Sequence, residues 1–375
     1  MRILIASNFE PERNSGAAGS LLEIGEAHRR LGHDVELFWM RHSHFRILAE
    51  SFLIPYRQAR QIGSFLRNTG PVDVVVVSQP FAFHTFESLS RKYPHTLFIN
   101  RTHGWEPRYS ASQDEFGWDS AATVGGRLMR WVARRLRSYM CRRTVLSAHG
   151  VIAACRQDAQ WIQSAYNLPA ERVACVPYGI CPNHFSQAPR RSPEALPRRL
   201  IFSGQYQERK GTRILENVLP QLAAEFSDAT LTFVVPQSEV DLVKSKYVGS
   251  WASRLVVLPW MSQTDLYKKF GEQDVLLFPS YFEGFGKVVI EAMAMGCVPV
   301  GFEEGVLSDL TKDGVLTCAH GDHAAFGRLL RDVLIGNLDL ARLSRNATCL
   351  ARRRSWDDTA REEIRFFESL LASAR

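Results

Sequence analysis

Two glutamates eight positions apart, Glu283 and Glu291, mark the stretch of this chain best equipped for chemistry. The apolar run Val275-Leu276-Leu277-Phe278 has the length and composition of a buried strand, and Pro279-Ser280 breaks it. Glu283 follows between an aromatic pair and the glycines 284 and 286, and a helix is expected over 287–295, stopped by Gly296. A helix start offers N–H groups without intrahelical partners and the positive end of the dipole, so it favours an anion. Glycines let a ligand approach the backbone closely. Glu291, about one turn in, needs something to bond besides solvent. A diphosphate for the N–H groups, sugar hydroxyls for Glu283 and ribose hydroxyls for Glu291 would satisfy the segment, and a nucleotide sugar carries all three. The competing reading is one glutamate in a solvated loop and another on a helix surface.

The surrounding pattern supplies elements to hold such a site. Short apolar strands are expected at 3–6, 35–39, 74–77, 96–99 and 151–154, with a loop over 7–20 and an amphipathic helix over 21–31 stopped by Gly32. A stretch with three prolines and four arginines ends at Arg199, and the pattern then restarts. Strands are expected at 200–203, 230–235, 255–258, 275–278 and 298–300, with helices over 212–226 and 263–271 between them. Strands alternating with helices make parallel sheets covered on both faces. The expected fold class is α/β, with two Rossmann-like doubly wound parallel-sheet domains facing across a cleft. The expected divisions are 1–185, a linker at 186–199, a second domain at 200–354 and a terminal helix at 355–375. Ser355 before Trp356-Asp357-Asp358 reads as the start of that helix, which is expected to brace the first domain.

Bulk properties narrow the class. A chain of 375 residues, 45% hydrophobic and 23% charged, is globular and long enough for two cores. No apolar run reaches the roughly 18 residues of a membrane-spanning helix, and the N-terminus reads as a strand rather than a signal peptide. Seven scattered cysteines without a Cys-x-x-Cys pair build neither a disulfide framework nor a metal site, which points to a reducing cytoplasm. A formal charge of +7 attracts polyanions. Nucleic acid is disfavoured, because the densest basic segment, 126–143, is one helix with only Trp131 and Tyr139 available for stacking. NAD binding is disfavoured too, since Gly16-x-x-Gly19 begins about ten residues beyond the first strand rather than directly after it.

The Glu283–Glu291 segment resembles the Glu-x7-Glu signature of the family-4 retaining glycosyltransferases, which have the GT-B arrangement of two Rossmann-like domains. Ile201-Phe-Ser-Gly204 followed by Arg209-Lys210-Gly211 is similar to that family's strand-glycine and Lys-Gly phosphate motif. Leu31-Gly32-His33-Asp34-Val35, Thr102-His103-Gly104 and Val176-Pro177-Tyr178-Gly179-Ile180 resemble its N-terminal, His-Gly and domain-crossover motifs, in the same order along the chain. The sequence departs at Gln205, where the family has Arg, at Ala17, where it has a second glycine, at Tyr178, where it has Asn, and at Pro236-Gln237-Ser238, where it has a glycine-rich turn.

The resemblance implies roles. Glu283 would bind donor-sugar hydroxyls, and the N–H groups of Phe285, Gly286 and Lys287 would receive sugar or phosphate oxygens. Glu291 would hold the ribose, Lys210 would neutralise the diphosphate with Arg209 as a second cation, and Gly204, at the strand end, would be a donor-binding residue with them. His103 would lie near the sugar, and Gly16 near the donor phosphates and acceptor. The implied reaction is retaining transfer of a sugar from a nucleotide-diphosphate donor to an acceptor such as a cell-envelope glycan or lipid-linked saccharide. No Asp-x-Asp pair occurs, so neither a metal nor another cofactor is expected. A sugar phosphorylase, a nucleotide-sugar epimerase and a non-catalytic polyanion binder are the rivals. In 126–143 the residues Leu128, Val132, Leu136 and Met140 recur every four positions among seven arginines from Arg127 to Arg143. Either the apolar stripe faces the core and the basic face is solvated, or that face meets an anionic membrane surface or a phosphorylated lipid-linked acceptor on the inner face of the plasma membrane.

Overall fold

A computed structural model describes residues 1–8, 11–13, 16–40, 48–78, 82–118, 124–181, 196–310 and 313–373. Most of the expected linker at 186–199 lies outside the described residues. The chain divides into two compact units. The first comprises Met1–Ala111, Ser120–Gly179 and Trp356–Arg375, and the second Ser112–Asp119 and Ile180–Ser355.

In the first unit the strands are β1 (Arg2–Ser7), β2 (Asp34–Trp39), β3 (Val74–Ser78), β4 (Leu97–Arg101), β5 (Gly150–Ala153) and β6 (Val173–Cys175). They form one sheet in the order β2-β1-β3-β4-β5-β6, parallel throughout. Ile3, Leu4, Val74, Val75, Phe98, Ile99, Val151 and Ile152 are buried, as expected where helices cover both faces of a parallel sheet. The first helix runs Gly16–Arg30 and so begins five residues earlier than the sequence pattern indicated. Gly19 in its first turn also allows a close approach, since a Cβ there would stand 2.3 Å from the carbonyl oxygen of Arg13.

The terminal helix Trp356–Ser373 belongs to the first unit and packs against helix Gly16–Arg30. Its Glu363 is buried, accepts from His28 Nε2 at 2.8 Å and pairs with the buried Arg101 at the end of β4.

The second unit holds β7 (Arg199–Ser203), β8 (Thr230–Val235), β9 (Leu255–Pro259), β10 (Val275–Phe278), β11 (Val298–Phe302) and β12 (Leu316–Cys318). Their order is β12-β11-β10-β7-β8-β9, again parallel. The strand order reverses between β7 and β10, where Val275 pairs with Leu200 and Leu276 with Ile201. Loops leaving the carboxyl ends of two such strands diverge and leave a crevice for ligands. Ser112–Asp119, which sequence reading assigned to the first domain, groups with this unit. Ser112 Oγ donates to the Tyr281 carbonyl at 2.7 Å, and the Phe116 and Tyr281 rings stack with centroids 5.1 Å apart.

Candidate functional site

The segments that follow β7 and β10, each a loop and the element after it, carry eight of the ten residues singled out by sequence. Gly204 follows β7, and its N–H donates to the Val234 carbonyl at 3.0 Å. The chain then forms a single turn, Glu208–Lys210, before helix Thr212–Glu225. Gly211 joins the two at φ +75°, and a Cβ there would stand 2.1 Å from the carbonyl oxygen of Pro279. No other residue lets the turn bearing Arg209 and Lys210 seat itself so tightly on the loop that follows β10. The contact is reinforced by the Tyr281 N–H, which donates to the Arg209 carbonyl at 2.8 Å.

That seating brings together groups 73 residues apart. Lys210 Nζ donates to Glu283 Oε1, Arg209 Nη1 stands 3.7 Å from the same oxygen, and Arg209 also donates to the Phe282 carbonyl at 3.1 Å. Burial by itself would raise the Glu283 carboxyl, but the Lys210 ammonium and Arg209 guanidinium outweigh it and hold the pKa below the ordinary value. Burial pulls the Lys210 ammonium down, and its partner Glu283 works against that fall. The result is an ionised carboxylate beside two cations on one side of the loop.

Glu283 is fixed through its backbone as well. Its N–H donates to Oε1 of the buried Glu304 at 2.7 Å. The Phe285 ring is buried, and its carbonyl accepts from the Val306 N–H at 2.7 Å. Gly286 caps helix Lys287–Ala294 at φ +89°, where a Cβ would stand 2.7 Å from Cζ of Phe278. The helix therefore starts hard against the end of β10, with the N–H groups of its first turn at the mouth of the sheet. Glu291 is buried one turn in. Its Oε1 accepts from Gln263 Nε2 at 3.2 Å and lies 3.3 Å from Lys287 Nζ. Lys287 stands at the helix end where the dipole disfavours a cation, and Glu291 offsets that.

Sequence reading missed Glu304 and Gln263. Each reaches the site from a separate element, after β11 and at the start of helix Gln263–Gly271, and neither belongs to a local pattern that would have revealed it.

Gly16 and His103 lie in the first unit. Gly16 opens the first helix, and its carbonyl accepts from Ser20 Oγ at 2.6 Å. His103 follows β4, and its Nδ1 stands 2.7 Å from the Tyr178 hydroxyl. Burial, and then the charge of Arg101, lower the His103 pKa to about 3, so the ring is neutral near pH 7.

The basic segment forms helix Val124–Ser147, which contains no Asp or Glu. The Arg127 side chain lies outside the described residues. One expectation about this helix is corrected. Met140 is buried, but Leu128 is 64% exposed, and Val132 is exposed with it. The core instead takes Met140, Cys141, Thr144 and Val145. Leu128, Trp131, Val132, Arg135, Tyr139, Arg142 and Leu146, spaced by threes and fours, make one exposed face. Arg135 Cζ lies 5.0 Å over the Trp131 ring. A four-residue period identifies a stripe but not which stripe the neighbouring elements cover.

Comparison with known proteins adds an independent line. The Glycosyltransferase Family 4 profile matches residues 14–184, and that of Glycosyl transferases group 1 matches residues 197–335. Among curated proteins, the D-inositol 3-phosphate glycosyltransferase of Streptomyces avermitilis is 30% identical over 236 residues, covering 58% of this chain and 51% of that protein. The protein of the same name from Xylanimonas cellulosilytica is 28% identical over 235 residues, covering 58% and 56%. The chain thus spans about half the length of the curated relatives it matches. Among solved structures, sucrose-phosphate synthase from Thermosynechococcus elongatus superposes with a TM-score of 0.75 at 14% identity over 100% of both chains. HepE of Anabaena, solved with UDP and glucose, gives 0.63 at 18% identity over 97% of this chain and 98% of that one. At these identities the likeness speaks for the fold alone.

Proposed function

Because this chain belongs to the family-4 glycosyltransferases, we propose that it moves a sugar, with retention, from a nucleotide-diphosphate donor to a saccharide or lipid-linked acceptor. The observation that carries this reading is the cluster of Lys210, Arg209 and Glu283 beside the start of helix Lys287–Ala294. Breaking the anomeric bond leaves positive charge on the sugar ring and negative charge on the departing diphosphate. Groups fixed where that negative charge grows stabilise the transition state. Lys210, Arg209 and the first-turn N–H groups can do this without reorganising, and two cations make a metal ion unnecessary on this reading. Charge-assisted bonds to phosphate are roughly twice as strong as neutral ones, so the cations dominate the term. Glu283, kept ionised, accepts from sugar hydroxyls, and Glu291 accepts from the ribose.

Screening nucleotide sugars by thermal shift tests the reading, with uridine diphosphate sugars first because HepE was solved with UDP. A bound donor adds about RT ln(1 + [L]/Kd) of stability, and a transferase releases nucleoside diphosphate faster when the right acceptor is added. If no nucleotide sugar raises the melting temperature, the reading is wrong.

We also propose that the exposed face of helix Val124–Ser147 lies on an anionic membrane surface at the cytoplasmic side. Leu128, Trp131, Val132 and Tyr139 supply apolar and aromatic contact, and the arginines supply attraction to acidic headgroups. Co-sedimentation should show binding to vesicles containing phosphatidylglycerol at low salt and little to pure phosphatidylcholine. Equal binding to both, or none to either, removes the proposal, as does unchanged binding of Trp131→Ser with Arg135→Ser.

A further inference from the structure

Tyr281 lies two residues before Glu283, and its main chain is held on both sides. Its N–H donates to the Arg209 carbonyl at 2.8 Å. Its carbonyl accepts from Ser112 Oγ at 2.7 Å, and His320 Nε2 stands 2.9 Å from the same oxygen. A carbonyl oxygen only accepts, so His320 is the donor and carries a hydrogen on Nε2. The Tyr281 hydroxyl is held as well, 2.5 Å from His323 Nε2. His320 follows β12, and His323 opens helix His323–Leu334. All of these groups belong to the second unit.

His320 is itself seated. Its ring meets the Phe116 ring edge to face, with centroids 4.4 Å apart, and stands 5.9 Å from the Phe302 ring. At Gly321 a Cβ would stand 2.5 Å from Cε1 of Phe116, so the glycine lets that ring press on the turn carrying His320. What the imidazole then holds is a peptide plane. The Tyr281 carbonyl and the Phe282 N–H are parts of one planar unit. The next carbonyl, that of Phe282, accepts from Arg209 Nη1 at 3.1 Å. Turning the Tyr281–Phe282 peptide would draw the Phe282 carbonyl off Arg209 and shift Glu283 against Lys210. Any aromatic ring could pack against Phe116; only a side chain with a donor at that reach holds the carbonyl.

We propose that His320 is a positioning residue for donor cleavage. Its Nε2–H fixes the Tyr281–Phe282 peptide, and that peptide keeps Arg209 and Glu283 where the leaving diphosphate and the sugar need them. The catalytic consequence rests on the nucleotide-sugar reading given above; the hydrogen bond itself does not.

The test has two arms. Long-range ¹H–¹⁵N correlation on the full chain labelled at histidine, with His320→Gln used to assign the resonance, should show the His320 hydrogen on Nε2 without any ligand. A neutral ring with its hydrogen on Nδ1 overturns the proposal. Turnover is then measured on the nucleotide sugar that raises the melting temperature most. His320→Phe keeps a ring against Phe116 and lacks the donor. It should lower kcat by about tenfold or more, with a smaller change in donor KM, because a misplacement of about 1 Å costs up to about a hundredfold in rate. His320→Gln, whose amide supplies an N–H, should restore most of the turnover. An unchanged kcat in His320→Phe overturns the proposal, and so does an equal loss in both variants at unmodified melting temperature. Should His320→Phe fail to fold, the unmodified spectrum still decides where the hydrogen lies. A hydrogen on Nε2 with no nucleotide sugar bound would sink the functional reading and leave the clamp on Tyr281 standing; a hydrogen on Nδ1 with normal donor binding would do the reverse.

Discussion

Lys210 and Glu283, 73 residues apart, form a buried ion pair at the point where the second sheet reverses its strand order. Each belongs to a loop leaving the carboxyl end of a strand, β7 for one and β10 for the other. On the proposed reading a diphosphate enters this arrangement, its oxygens sharing the ammonium with the carboxylate.

Removing Lys210 leaves Glu283 buried beside Arg209 alone. Breaking a buried pair from one side costs about 3–5 kcal/mol, so Lys210→Ala should unfold at markedly lower denaturant. The double variant Lys210→Ala with Glu283→Gln should recover much of that stability and none of the activity. Denaturant melts and turnover on the four proteins of the cycle separate the two effects; recovered turnover in the double variant would contradict the role given to Lys210.

Glu291→Gln keeps the shape of the side chain and removes its charge. Lys287 then faces the helix dipole unopposed, a loss of about 0.3–1 kcal/mol. Nucleoside diphosphate affinity should fall about tenfold or more, because hydrogen bonds to a charged group contribute about 1.5–3 kcal/mol. Calorimetric titration reads this directly. Unchanged affinity would remove Glu291 from the ribose.

His28 makes stability depend on pH. Burial, then Arg101, lower its pKa from 6.5 to about 3 in the folded chain. Between those values the unfolded chain binds a proton that the folded one refuses, so stability falls as pH falls. At pH 5 the loss relative to neutral pH is about 2 kcal/mol from this residue, at about 1.36 kcal/mol per unit. Glu283 adds a lower window: its stabilisation is complete above the ordinary value of 4.5 and disappears as pH drops through the depressed native value. Denaturant melts at pH 7 and pH 5 should show a shallower decline for His28→Gln, which keeps a donor for Glu363. An identical decline would mean His28 does not carry the effect.

Gly211 and Gly249 should respond to alanine in opposite directions. At Gly211 the left-handed backbone costs an alanine about 1–2 kcal/mol, and the approach to Pro279 adds to that. Gly249 lies within helix Val240–Trp251 with nothing inside 4 Å of an added Cβ, so Gly249→Ala should stabilise by about 0.5–1 kcal/mol. Thermal melts of the two variants check both signs. A stable Gly211→Ala would show that the turn bearing Lys210 is not seated as described.

The sequence by itself determined what is local. Alternation of strands and helices announced two parallel sheets, because period and composition follow from how each element buries its surface. Glu283, Gly286, Lys287 and Glu291 were readable together, since a strand end, a glycine turn and a helix start follow one another within 17 residues of chain. Tertiary structure alone decided the rest. Which oxygen Lys210 meets, that Gln263 and Glu304 support the two glutamates, and that Glu363 holds Arg101 depend on where separate elements pack. The helix Val124–Ser147 shows the limit most plainly. Its period marked an apolar stripe, but burial is settled by neighbours that the period does not contain, and half of that stripe faces outward.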